Sequence, residues 1–370
     1  DVIVKSGASL LTIINDILDY SKLDANQMKL DPAPFQVRET IDDIASLMSS
    51  KAAEKDLELV VRVDPNVPNL LIGDVGRLRQ ITTNLVGNAV KFTEHGHVYL
   101  NVECNNEDAS SDASNAAKLK FSIEDTGIGI PADKISQIFD KFKQADNSAT
   151  RKHDGTGLGL SISQHLVRLM QGSIGVDSRE GKGSTFWFEI ELPVKCGSAD
   201  QKQIPVDVAG SRILVVDDNE VNRTILQEQM TKWGFDSAAA SSGHEALAVI
   251  EAALKHEIKI DAIVMDFQMP MMTGGETVNL IRRNPATFHL PVIMLTSVDQ
   301  TEEGAAFSSL NIQAYLNKPA PPSLLLETLV QVLQTDRANR NFEQGSNSLA
   351  ISKAKSLADR APQPKEFETT

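Results

Sequence analysis

The sequence predicts a multidomain protein: a bundle helix, then an α+β sandwich, then an α/β doubly wound parallel sheet. Three observations predict it. An apolar stripe at helical spacing runs through the first thirty residues. Residues 34–195 mix strands and helices without strict alternation. From Arg212 onward short apolar strands and helices alternate one for one. A length of 370 residues accommodates two such domains and their connections.

In the first piece, residues 1–31, Ile3, Leu10, Ile14, Ile17 and Ser21 follow a 7-4-3-4 spacing. Val4, Leu11 and Leu18 run beside them at heptad intervals, which gives a stripe wide enough for a helical bundle. Pro32 and Pro34 stop that helix. In the second piece, Val37–Ala53, Asp74–Phe92 and Gly159–Met170 read as helices. Leu57–Val63, Val98–Cys104 and Leu119–Glu124 read as strands, and Ser173–Leu192 as a closing hairpin. Asn105–Ala117 is polar and reads as a long hairpin loop. Residues 196–210 read as a linker.

In the third piece, residues 211–335, the strands are Ile213–Val216, Asp261–Met265, Val292–Thr296 and Ala314–Leu316. Arg223–Trp233, Gly243–Leu254, Gly275–Arg283 and Ser323–Leu333 are the helices around them. Residues 336–370 turn polar and are expected to form a disordered tail.

Composition excludes several classes of function. A formal net charge of −14 speaks against nucleic acid as a partner. No apolar run reaches the roughly 18–20 residues that span a bilayer. Cys104 and Cys196 are the only cysteines and form no metal-ligand or disulfide pattern, which fits a reducing compartment.

Four short motifs gather in the second piece. Asn84, Asn88 and Lys91 recur at i, i+4 and i+7, so one helix face offers two amide oxygens and a cation, suited to a metal–triphosphate group. Asp125-Thr-Gly127-Ile-Gly129 follows a strand: the carboxylate can accept from an amino group on a base, and the glycines permit close backbone approach. Gly155-Thr-Gly157-Leu-Gly159 opens a helix, whose N-terminal N–H groups favour phosphate. Gly181-Lys-Gly183 turns the last hairpin. In this order the motifs resemble the N, G1, G2 and G3 boxes of the histidine-kinase ATP-binding domain, with Phe139-Asp-Lys-Phe142 where that family has its F box. The resemblance implies a Bergerat-type fold, shared with gyrase-type ATPases, in which Asp125 recognises adenine. It also implies Asn88 as Mg²⁺ ligand with Asn84 beside it, Lys91 near the phosphates, and a mobile lid over residues 141–156. Hydrolysing relatives have Glu where Asn84 stands; an amide cannot take up a proton, so transfer of the phosphoryl group is expected over its loss to water.

The stretch from Leu10 to Ala25 resembles the second helix of the family's dimerisation and phosphotransfer hairpin. The phosphoacceptor histidine sits on the first helix of that hairpin. His95, His97, His153, His165, His244, His256 and His289 all lie outside that hairpin stretch, so autophosphorylation by these residues alone is not expected.

In the third piece chemistry gathers at strand ends. Asp217 and Asp218 end the first strand, Asp266 the third and Thr296 the fourth, and Lys318 follows the fifth. Carboxylates this close need a cation, and oxygen donors favour Mg²⁺. One such carboxylate can attack phosphorus and form an acyl phosphate, with the Lys and hydroxyl neutralising phosphoryl oxygens. Val215-Val-Asp-Asp-Asn, Met265-Asp-Phe-Gln-Met-Pro and Leu316-Asn-Lys-Pro resemble a response-regulator receiver domain, a flavodoxin-like fold. That resemblance implies Asp266 as phosphoacceptor, Asp217, Asp218 and the Gln268 carbonyl around Mg²⁺, Thr296 and Lys318 as phosphoryl readers, and Tyr315 as the aromatic switch.

The two resemblances together imply a hybrid sensor histidine kinase. They imply ATP and Mg²⁺ as cofactors, a homodimer through the hairpin, and a downstream histidine phosphotransfer domain or response regulator. They imply too a cytoplasmic portion of a protein anchored in the plasma (inner) membrane. The alternative is a regulatory scaffold whose receiver gates a partner's output while ATP binding only sets conformation.

Overall fold

The computed structural model describes residues 27–105, 116–140, 157–195, 207–296 and 310–358, together with Gly7, Ile14, Leu18, Ser21 and Ala25. The chain forms two compact units, one built on residues 1–202 with 317–321 and the other on residues 203–316 and 322–370. Of the expected bundle helix, Gly7, Ile14, Leu18 and Ser21 are helical, and Ile14 and Leu18 are exposed. Ala25 lies in a turn and residues 27–31 are not helical, so the helix ends before Pro32; its other residues lie outside the described ones, as do 106–115 of the hairpin loop and the whole stretch 141–156 read as a lid.

The first unit layers helices on one mixed sheet. Its elements are β1 (Ala33–Gln36), α1 (Val37–Ala53), β2 (Glu58–Val63), β3 (Leu70–Gly73), α2 (Val75–Phe92), β4 (His97–Cys104), β5 (Ala116–Asp125) and α3 (Ala132–Ile135). They are followed by α4 (Gly159–Leu169), β6 (Ser173–Arg179) and β7 (Gly183–Pro193). The main sheet runs β2-β4-β5-β7-β6. β2 and β4 are parallel and the other neighbours antiparallel. On the covered face Phe121 and Phe188 stack with ring centroids 4.5 Å apart. Leu78, Ile81 and Leu85 of α2 and Leu166 of α4 are fully buried in the same core; side chains of this kind contribute about 1.5–3 kcal/mol each. α2 starts at Asp74, whose Oδ1 accepts from the Arg77 N–H and whose Oδ2 accepts from the Asp31 N–H. β1 and β3 form a two-stranded antiparallel sheet that the sequence pattern does not announce. Each has four residues, and Pro34 sits in one of them, a position tolerated only at a sheet edge.

Asp42 on α1 makes stability pH-dependent. Burial pushes its carboxyl up to about 6 from 3.8, against the pull of Arg38, with Asp43 and Glu39 raising it further. The folded state therefore holds this proton more tightly than the unfolded one. The stabilisation is fully present below pH 3.8 and is lost as pH rises through 6. Asp42→Asn mimics the protonated form, so it is expected to stabilise the protein at pH 7. The gain is about 1–2 kcal/mol once partial exposure is counted, and it fades near pH 4. Urea denaturation of both proteins across that range checks this; a wild-type advantage at pH 7 refutes it.

The second unit is a parallel α/β sheet. It contains β8 (Arg212–Val216), α5 (Glu220–Lys232), β9 (Asp236–Ala240), α6 (Gly243–Lys255), β10 (Ala262–Asp266), α7 (Gly274–Arg283), β11 (Val292–Thr296), β12 (Ala314–Asn317) and α8 (Pro322–Ala358). The order is β9-β8-β10-β11-β12, the flavodoxin-like arrangement, with β9–β8, β8–β10 and β10–β11 parallel. Among the described residues no helix is long and apolar enough to cross a membrane.

Two boundaries differ from the sequence reading. The linker ends earlier, because residues 207–210 form a turn with Val208 fully buried. The expected disordered tail from 336 is instead helical to Ala358. Leu325, Leu329 and Leu333 bury the first turns of α8. Arg337 then donates to Ser211 Oγ at 2.8 Å, and Asp336 pairs with Arg340 at 2.9 Å. Extending an existing helix carries no nucleation cost, so polar residues continue it.

Candidate functional site

The first unit places residues of all four motifs around one end of its sheet. The buried stripe of α2, from Leu78 through Leu85 and Val86 to Ala89, sets the helix's rotation. Asn84, Asn88 and Lys91 are thereby left half-buried along its margin. Asn84 Nδ2 donates to Ser163 Oγ on α4 at 2.8 Å, so it also ties the two helices together. Ser163 is buried, and neither composition nor motif spacing singles it out.

Asp125 ends β5 with 5 % exposure. Its Oδ1 accepts from the Gly127 N–H at 2.9 Å. Burial pushes its carboxyl up, while the main-chain N–H groups of Gly127 and Ser184 work against that. The following turn needs its glycines. A Cβ on Gly127 would lie 2.5 Å from the Phe92 carbonyl oxygen, and one on Gly129, at φ +66°, 2.1 Å from that of Arg179. Ser178 fixes the far side of the turn: its Oγ accepts from the Ile130 N–H at 2.8 Å and donates to the Gly183 carbonyl at 3.0 Å. Gly157 precedes α4, and Gly159 begins it without a side-chain cap; Gly155 lies outside the described residues. The arrangement offers a buried acceptor for an amino group, an amide-and-ammonium helix face, and a helix N-terminus suited to phosphate.

In the second unit the sheet register brings the acidic residues level. Val216 pairs with Met265, so Asp217 and Asp266 leave adjacent strands side by side. Carboxylate oxygens of Asp217, Asp218 and Asp266 lie within 4.8 Å of one another. Asp217 and Asp266 are buried and Asp218 is exposed. Asp266 Oδ1 accepts from the Gln268 N–H at 3.2 Å. Asp266 pairs with Leu295, which places buried Thr296 at the end of the neighbouring strand. Tyr315 lies half-buried in β12 against the core, where burial pushes its phenol up. Lys318 follows β12 in the chain.

Two residues absent from the sequence reading frame the acid pair. Asn222 Nδ2 donates to Asp217 Oδ1 and Oδ2, each at 3.3 Å. Arg223 Nη1 donates to the carbonyls of Asp217 and Asp218 at 2.8 and 2.9 Å. Their spacing from Asp217 puts them in the first turns of α5, which is the available signal.

Known proteins carry the same two units. Residues 73–194 match the model of the histidine kinase-, DNA gyrase B- and HSP90-like ATPases, and residues 213–330 match that of the response regulator receiver domain. The chain is 34 % identical over 370 residues to the sensory/regulatory protein RpfC of Xanthomonas campestris pv. campestris, covering 91 % of this chain and 49 % of RpfC. It is 40 % identical over 293 residues to hybrid signal transduction histidine kinase K of Dictyostelium discoideum, covering 75 % of this chain and 23 % of that protein. The chain belongs to the hybrid sensor histidine kinases. It spans about half the length of RpfC. A crystal structure of full-length ShkA in complex with AMPPNP matches with a TM-score of 0.66 and 28 % identity, over 89 % of this chain and 63 % of that one. In this hybrid kinase the nucleotide-type site belongs to the ATPase-like unit and the acidic cluster to the receiver unit.

Proposed function

We propose that this hybrid kinase passes a phosphoryl group from ATP to a histidine, and from that phosphohistidine to Asp266. Onward transfer goes to a phosphotransfer domain or response regulator. The observation that carries the reading is the cluster of Asp217, Asp218 and Asp266 within 4.8 Å at the strand ends of the receiver unit. In the parent protein the hairpin pairs two copies and the kinase faces the cytoplasm from a membrane anchor.

In the ATPase-like unit Asp125 accepts from the adenine amino group, and Asn88 and Lys91 face the triphosphate. Support comes from the buried carboxylate at the strand end and from the common helix face of the latter pair. In the receiver unit the donor set fits Mg²⁺, being made of hard oxygens alone. Asp217, Asp218, Asp266 and the Gln268 carbonyl would hold it. When bound, the ion offsets the repulsion between the carboxylates and the anionic donor. Asp266 Oδ attacks phosphorus and the P–N bond of the phosphohistidine breaks. The released electron pair stays on the imidazole nitrogen, which takes a proton from solvent. The Thr296 hydroxyl and the Lys318 ammonium then receive the phosphoryl oxygens.

The test is phosphotransfer from a separately prepared, labelled phosphohistidine hairpin. Label is expected on the chain with Mg²⁺ and none after chelation. Asp218→Ala is expected to slow transfer by more than the roughly 10–100-fold that loss of an outer-shell partner costs. Transfer at full rate in chelator overturns the assignment of the acidic cluster.

A further inference from the structure

A helix ends with four carbonyls that no residue of the helix can satisfy. In α2 the Ala89 carbonyl accepts from the Thr93 N–H and hydroxyl, at 3.1 and 2.7 Å. The carbonyls that follow are satisfied from two distant places. The Lys55 ammonium donates to those of Val90 at 2.8 Å, Lys91 at 2.7 Å and Thr93 at 3.2 Å. The carbonyl between them, that of Phe92, faces the Asp125–Gly129 turn and accepts from the Ile128 N–H at 3.4 Å. The same oxygen is the one that a Cβ at Gly127 would strike. The last turn of α2 thus presents Lys91 and is also the surface on which the Asp125 turn rests.

Lys55 is itself rigidly mounted. It lies just past α1, in a turn where the Leu57 N–H returns to the Ala52 carbonyl at 3.0 Å and Asp56 takes φ +53°. Leu57 is buried, which pins the turn to the core. A cation at a helix C-terminus also meets the negative end of the helix dipole.

We propose that Lys55 is a positioning residue for nucleotide binding. With three of its own bonds it fixes the carbonyls around Phe92, and so sets the distance between the Lys91 helix face and the Asp125 turn. This rests on the reading of that site as the ATP site. Lys55 touches no nucleotide in this role; it acts through α2.

The experiment compares wild type with Lys55→Met, which keeps the apolar stem, and Lys55→Arg, which restores a cation. Affinity for Mg·AMPPNP is measured by calorimetry, and amide hydrogen exchange is measured without nucleotide. Lys55→Met is expected to weaken binding roughly tenfold, the lower end of the 10–100-fold that loss of a supporting outer-shell partner costs. It should also speed exchange at Ile128 and Thr93 while the β4–β5 amides stay at wild-type rates, and Lys55→Arg should recover most of both. Wild-type affinity in Lys55→Met overturns the proposal, as does faster exchange spread evenly over the unit, which marks mere destabilisation. If wild type itself fails to bind Mg·AMPPNP, the ATP reading falls. Local acceleration at Ile128 then still supports the part assigned to Lys55, and its absence removes that too.

Discussion

Asp266→Asn is expected to eliminate phosphoryl transfer to the receiver unit and, at the same time, to stabilise that unit in metal-free solution. The first effect is chemical. An amide oxygen has little nucleophilicity and cannot carry the charge that an acyl phosphate needs, so the hydroxylamine-sensitive label should vanish altogether. The second effect is electrostatic. Two unit charges at the 4.8 Å limit of this cluster repel by about 3 kcal/mol at an effective dielectric near 20. Asp218 is exposed, so solvent removes much of its share. A gain on the order of 1–2 kcal/mol remains from relieving the buried Asp217–Asp266 pair. Added Mg²⁺ should shrink the gap, because the ion stabilises wild type more than the variant. Thermal unfolding with and without Mg²⁺ reads the second effect, and labelling from phosphohistidine reads the first. Undiminished label on the variant would place the acceptor elsewhere, and a variant less stable than wild type in chelator would show that the three carboxylates do not repel.

The parts of this molecule that were legible in the sequence are those in which residue type at fixed spacing carries the chemistry. Asn84, Asn88 and Lys91 declare a helix face, and Asp217 and Asp266 declare strand ends, because short apolar strands run directly into them. The supporting residues were hidden for a common reason. Lys55, Arg223 and Ser178 all bond to main-chain groups, and a main-chain partner leaves no trace in the identity of the residue that supplies it. Ser163 and Asn222 do bond to site side chains, yet as common polar residues on helices they stand out from nothing. β9 was not placed as a strand because Asp-Ser-Ala-Ala-Ala has no β-branched residue and no alternation; tertiary pairing with β8 decides it. The helical tail beyond 335 hid behind its composition, which would be marginal as an isolated peptide and is stable as an extension of α8.

Asp125→Asn is expected to weaken ATP binding and to flatten the preference for adenine over guanine. The reasoning is a count of donors. The Gly127 and Ser184 main-chain N–H groups already point at the Asp125 carboxylate, and in the proposed site the adenine amino group is a third donor. A carboxylate accepts at both oxygens, so it can take all three. An asparagine has one oxygen and one NH₂. Whichever way the amide turns, its NH₂ meets a donor, either the main chain or the adenine. The loss is that of a charge-assisted hydrogen bond in a buried place, about 1–3 kcal/mol, or roughly 5–150-fold in Kd. Guanine presents a carbonyl oxygen where adenine presents its amino group. The NH₂ of the variant can donate to it, so GTP should lose less than ATP, or gain. Calorimetry of the full chain with each Mg·nucleotide gives both numbers. The main-chain donors keep the turn in place if the amide oxygen stays toward Gly127, so the α2 and β5 amides should retain their wild-type hydrogen-exchange protection. Equal ATP affinity in the two proteins, with the adenine preference unchanged, would remove Asp125 from base recognition and leave its buried carboxylate as a fastening for the Gly127 turn alone.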